Sequence, residues 1–80
     1  MSGFLLHHRH EPHECPVVFA SFRGHESPLR RQPTFASCRS GGHEIWWTVQ
    51  AGSENDALAL LPFYVAERTT ATRVSEIDIP

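Results

Sequence analysis

The stretch 34–52, TFASCRSGGHEIWWTVQAG, decides the fold. Two strand-like runs flank Ser40-Gly41-Gly42, where glycines are available for the positive φ angles of a tight turn. The reading is a β-hairpin. In its second run His43, Ile45, Trp47 and Val49 fall on one face by the two-residue strand period. Glu44, Trp46, Thr48 and Gln50 fall on the other. Each face carries a tryptophan, which predicts a sheet covered on both sides.

Outward from the hairpin, FLLHHRH (4–10) alternates as a first strand, with Phe4, Leu6, His8 and His10 on one face. Pro12 and Pro16 fit a helix start between His13 and Pro16. Val18, Phe19 and Phe22 form the apolar stripe of that helix, and Gly24 stops it. HESPLRRQP (25–33) is a polar connection. On the other side of the hairpin, Ser53 is an N-cap with Asp56 three residues on. The helix it opens runs to about Leu61, where Pro62 ends it, with a short helical extension from Phe63 to Glu67. TTATRVSEIDIP (69–80) is β-prone. Its alternation slips phase between Val74 and Ile77, so a bulge or break is expected near Ser75.

The order strand, helix, strand, strand, helix, strand predicts one α+β domain spanning residues 1–80. Its arrangement is the split βαβ, with a four-stranded antiparallel sheet and two helices on one face. Two helices leave the second face open. That face carries one of the tryptophans, and a homodimer would cover it. A chain of this length buries only about 60–65% of its unfolded surface, so a partner subunit or a metal is a common aid to stability.

Composition narrows the function. A formal net charge of −2 argues against nucleic acid as a partner, which would want a basic stripe. No apolar run is long enough to span a membrane, and the opening MSGFLLHHRH lacks the pattern of a signal peptide, so a cytoplasmic protein is expected. All seven basic residues are arginines, which removes lysine Schiff-base and P-loop chemistry. Cys15 and Cys38 are too few for a disulfide framework and lack CxxC spacing, so both are expected as thiols, with a single bridge between them as the alternative.

HHRHEPHEC (7–15) is the candidate site. His8 and His10 point the same way about 7 Å apart, from a strand rise of ~3.4 Å per residue. His13 and Cys15 follow at the corner, and His43 enters from the hairpin. The set His8, His10, His13, Cys15 and His43 suits a divalent transition metal such as zinc, nickel or copper, because imidazole and thiolate are poor ligands for magnesium or calcium. Cys15 also sits at a predicted helix start, where amide dipoles favour a thiolate. Cys38 reads as a packed strand residue. Trp46, Trp47, Phe63 and Tyr64 are the candidate walls of a small-molecule pocket.

The whole-chain pattern, from FLLHHRH through the hairpin and SENDALALL to TTATRVSEIDI, resembles the ferredoxin-like, dimeric α/β-barrel group of small proteins. That resemblance implies ligands in the cleft between sheet and helices. The group includes cofactor-free monooxygenases, muconolactone isomerase-like proteins, haem-degrading enzymes and a small nickel-binding protein. No diagnostic motif accompanies it, and the His/Cys-dense corner departs from the group, so no catalytic residue carries over. Three functions follow as expectations. The first is a homodimeric protein binding a divalent metal through its His/Cys cluster. The second is a cofactor-free monooxygenase- or isomerase-like enzyme acting on an apolar or aromatic substrate, with His8 or His10 as acid/base. The third is an interaction module without chemistry.

Overall fold

The computed structural model describes residues 2–80. Strand β1 (Ser2–Arg9) is followed by a 3₁₀ turn (Pro12–Glu14) that runs straight into helix α1 (Cys15–Ala20). Strand β2 (Phe35–Ala36), a second 3₁₀ turn (Cys38–Ser40) and strand β3 (Glu44–Ala51) come next. Two short helices, α2 (Glu54–Leu58) and α3 (Phe63–Ala66), lead to strand β4 (Thr69–Val74). The four strands form one antiparallel sheet in the order β2-β3-β1-β4. Because β1 and β2 both run against β3, they are parallel to each other with β3 between them. In the same way β3 and β4 are parallel with β1 between.

The alternation read from the sequence sorts the two faces. Phe4, Leu6 and His8 of β1 and Ile45, Trp47, Val49 and Ala51 of β3 are buried on one side. Val18 of α1, Ala57 of α2, Leu61 of the α2–α3 turn and Val65 of α3 close over them in a single cluster, so α1, α2 and α3 lie on that face. Hydrophobic burial of this kind is the main favourable contribution to folding. The opposite face carries Leu5, His7, Trp46 and Thr48, paired across β1 and β3. No helix covers it. His7 and Trp46 stack there in parallel, centroids 5.3 Å apart.

Several boundaries differ from those read in the sequence, each for a local reason. The first arm of the hairpin shrinks to Phe35–Ala36, because Ser37 knots the following turn. Its N–H donates to the Glu44 carbonyl, and its own carbonyl accepts from the Ser40 and Gly42 amides. Gly41 adopts φ 85° at this turn, the left-handed conformation a glycine takes without strain. Phe19 was expected on the buried stripe of α1 but is 48% exposed, since a six-residue helix turns only Val18 fully inward. The Ser53 hydroxyl accepts from the Asp56 amide as an N-cap, yet α2 ends at Leu58 rather than near Leu61. The bonds Leu60 N–H to Ala57 carbonyl and Leu61 N–H to Leu58 carbonyl tighten the chain to 3₁₀ geometry ahead of Pro62. After Val74 the strand breaks off near Ser75, and Ile77 and Ile79 are exposed.

Candidate metal centre

Two backbone corners meet at one end of the sheet. The first runs from the end of β1 through His10 into the start of α1 at Cys15. The second is the β2–β3 turn that carries Cys38 and His43. The His10 amide donates to the His43 carbonyl at 3.2 Å, which stitches the corners together. One ligand atom from each of His10, Cys15, Cys38 and His43 lies within 4.8 Å of the other three. His10 Nε2 and Cys38 Sγ are 3.6 Å apart. The rings of His10 and His43 meet edge to face, centroids 5.5 Å apart. Both cysteines are half-buried free thiols. Burial, followed by the neighbouring Cys15 thiol, pushes the Cys38 thiol above its ordinary pKa.

His8 stands behind this cluster rather than in it. It is fully buried, and both ring nitrogens are committed. The Thr69 hydroxyl donates to the Val65 carbonyl at 2.6 Å, so its oxygen accepts from His8 Nδ1 at 3.1 Å. The same Nδ1 lies 3.3 Å from the Val65 carbonyl. With Nδ1 the protonated nitrogen, Nε2 of a neutral His8 is an acceptor, and His10 Nδ1 donates to it at 3.0 Å. That leaves the lone pair on His10 Nε2, the nitrogen beside Cys38. Burial lowers the pKa of both histidines, with His10 acting further on His8 and His43 on His10, so the neutral, metal-competent forms are favoured.

His43 shows two marks of a site that is more than packing. It holds φ 53°, an uncommon angle for a non-glycine residue. Among the described residues, its Nδ1 is the one buried side-chain nitrogen or oxygen without a hydrogen-bond partner. Such orphaned groups are rare and cost free energy.

Surrounding ion pairs fix the first corner. The Glu14 carboxylate accepts from the Glu11 amide at 2.9 Å, from the Tyr64 hydroxyl at 2.6 Å and from Arg68 Nε at 2.9 Å. These contacts, Tyr64 first, hold the Glu14 pKa at about 2. The Arg68 guanidinium lies over the Tyr64 ring, 3.8 Å from its centroid. A cavity of about 340 Å³ opens beside the cluster, lined by His10, His43, Glu11, Glu14, Glu44 and Arg68 among others. It is a polar approach in which Arg9 pairs with Glu44 and Arg68 with Glu14.

Of the five residues first singled out as ligands, the structure brings together His10, Cys15 and His43. His8 supports them from behind, and His13 is exposed on the 3₁₀ turn, outside the donor group. Cys38 completes the set although the sequence reading placed it in a packed strand. A signal for it was present: four residues separate His10 from Cys15 and four separate Cys38 from His43, a mirrored His-x₄-Cys and Cys-x₄-His pair. Trp46 and Trp47 both line a cavity of about 510 Å³ with Leu5, Leu29 and Phe35. Phe63, 81% exposed, and Tyr64, engaged with Glu14, stand elsewhere.

No family model, no curated protein and no solved structure matches this chain.

Proposed function

We propose that this is a small zinc-binding domain whose metal is held by His10, Cys15, Cys38 and His43. The observation that carries the reading is the convergence of two imidazoles and two thiols from two corners of the chain far apart in sequence. Their spacing supports zinc. Ligands at Zn–S of about 2.3 Å and Zn–N of about 2.05 Å on a tetrahedral ion are about 3.6 Å apart. His10 Nε2 and Cys38 Sγ stand at 3.6 Å. Thiolate ligands disfavour magnesium and calcium, and a Cys₂His₂ set fills the tetrahedral shell of zinc without leaving a position for substrate. The role is therefore structural or zinc-storing rather than hydrolytic. A metal here would link the β1 end to the β2–β3 turn and close the long connection between them, the kind of staple small domains use.

Metal analysis of tag-free protein after dialysis against zinc tests this. One zinc per chain is expected, with Cys38→Ala and His43→Ala falling well below half. Cobalt substitution should give the charge-transfer absorption of a thiolate-bound tetrahedral ion. Less than a tenth of an equivalent in folded wild-type protein refutes the reading.

The interleaved strand order supports assigning the domain to the split βαβ, ferredoxin-like class. The helix-free face, with Trp46, Leu5 and an 82% exposed Phe35, supports a homodimer closed across that face. In sedimentation experiments wild type should run as a dimer and Phe35→Glu as a monomer. A monomeric wild type at high micromolar concentration rejects it. A reducing compartment suits two free thiols, and among the described residues no helix is long and apolar enough to cross a membrane.

A further inference from the structure

The two sulfur ligands are also the only two cysteines of the chain, and they sit within reach of each other. From this we infer that the metal site is a peroxide-responsive switch, in which oxidation joins Cys15 to Cys38 and expels the zinc while keeping the same loop closed. The inference rests on the zinc reading above and adds its regulation.

Three observations carry it. The two Sγ atoms belong to a group whose members all lie within 4.8 Å, so a side-chain rotation brings them towards bonding distance. Each cysteine begins a short helical turn, Cys15 that of α1 and Cys38 the 3₁₀ turn, and neither is locked in the sheet ladder. Both are half-buried, so a small oxidant can reach them while larger thiol reagents are hindered.

The loop between them, 16–37, contains the rest of α1, an irregular connection and β2. The connection is held by Phe22 and Leu29 against the core, by His25 Nε2 donating to the Leu60 carbonyl at 3.2 Å and by the Thr34 hydroxyl donating to the Trp46 carbonyl at 2.6 Å. A zinc ion and a disulfide would tie its ends at the same two residues. One staple can therefore replace the other with little change of fold.

The chemistry balances with hydrogen peroxide as oxidant. One thiolate attacks a peroxide oxygen and the O–O bond breaks, giving a sulfenic acid and a hydroxide that takes up a proton as water. The second thiolate attacks the sulfenic sulfur, the S–S bond forms, and the departing hydroxide takes a second proton. Two electrons pass from the two sulfurs to one peroxide. Zinc, left with two imidazoles, leaves as the hydrated ion.

The test treats zinc-loaded protein at low micromolar concentration with hydrogen peroxide in the presence of a chromogenic zinc chelator. Released zinc, free thiols, intact mass and melting temperature are followed. The expected result is one zinc released for each two thiols lost, with a mass about 2 Da below the reduced chain and monomeric on non-reducing gels. Reductant plus zinc should reverse all of it. The oxidised, zinc-free protein should melt about 10 °C or more above the reduced, zinc-free protein. Zinc loss accompanied by oxygen addition without the 2 Da loss overturns the switch, as does an oxidised form that melts no higher than the reduced one. Retention of zinc and thiols at peroxide levels that consume free glutathione also overturns it. Failure of the zinc reading itself is seen separately, before peroxide is added, as absence of stoichiometric metal. The 2 Da arm can still be read on such a chain.

Discussion

Replacing His8 with phenylalanine isolates the relay behind the proposed zinc site. The phenyl ring is larger than imidazole at a fully buried position, so Phe4, Leu6 and Val65 must give slightly to close around it, at a cost of about 1–3 kcal/mol in stability. The Thr69 hydroxyl keeps its bond to the Val65 carbonyl at 2.6 Å, so that end is left satisfied. The loss falls on His10. Its Nδ1–H gives up the 3.0 Å bond to His8 and has no other partner in a site where the residue is only 8% exposed. An unpaired buried donor costs about 1–3 kcal/mol, and the ring is then free to turn Nε2 away from Cys38. Outer-shell partners of metal-bound histidines are worth about 10–100-fold in affinity, or about 1.4–2.7 kcal/mol. Zinc dissociation constants measured by competition with a chromogenic chelator near pH 7.5 should rise by that factor in His8→Phe. Thr69→Val, which leaves the Val65 carbonyl as acceptor for His8, should change affinity by less than about threefold. A folded His8→Phe protein, checked by circular dichroism, that binds zinc as tightly as wild type would refute the relay.

Three further outcomes follow from the same geometry. Tyr64→Phe removes the strongest of the contacts that hold the Glu14 pKa at about 2. A depressed carboxyl pKa stabilises the fold above the unfolded value of about 4.5 and loses that contribution as pH falls towards 2. Urea midpoints of zinc-free wild type and variant should therefore differ near pH 7 and converge only as pH approaches 2; a constant gap counts against this account. Gly42→Ala drives a Cβ into Ser37 Oγ and places it 2.8 Å from Ser37 Cβ, so the turn holding Cys38 and His43 must shift. A stability loss of about 1–3 kcal/mol and weaker zinc binding are expected together, from melting curves and chelator competition. Ser53→Ala removes the side-chain cap on the Asp56 amide and should lower the melting temperature by about 4–8 °C, without touching zinc affinity.

The strands that form the sheet were legible because their alternation is a local property. Phe4, Leu6 and His8, and Ile45, Trp47 and Val49, declare their faces within a few residues, and tertiary packing accepts the declaration. The Ser53 cap was equally local, whereas the helix it opens stops at Leu58, short of the end expected at Pro62. What escaped depends on distant partners. Phe19 looked core-facing on a helix of ordinary length, and only the shortness of α1 exposes it. Cys38 looked like a strand residue because nothing in its neighbours announces that Ser37 bonds forward to Glu44 and turns the chain there. His8 resembled a ligand as much as His10 did. Only the positions of Thr69 and Val65, about sixty residues away, assign it to the second row.

The sheet order sets how the centre would open. His10 follows β1, which is flanked by β3 and β4 along almost its whole length. Cys38 and His43 hang from the edge, where β2 contributes only Phe35 and Ala36 to the ladder. Amide hydrogens of β1 should then be the last to exchange with solvent deuterium, and those of 35–43 among the first. Fraying would begin at that rim, and ion exit would track the breathing of a two-residue ribbon rather than global unfolding.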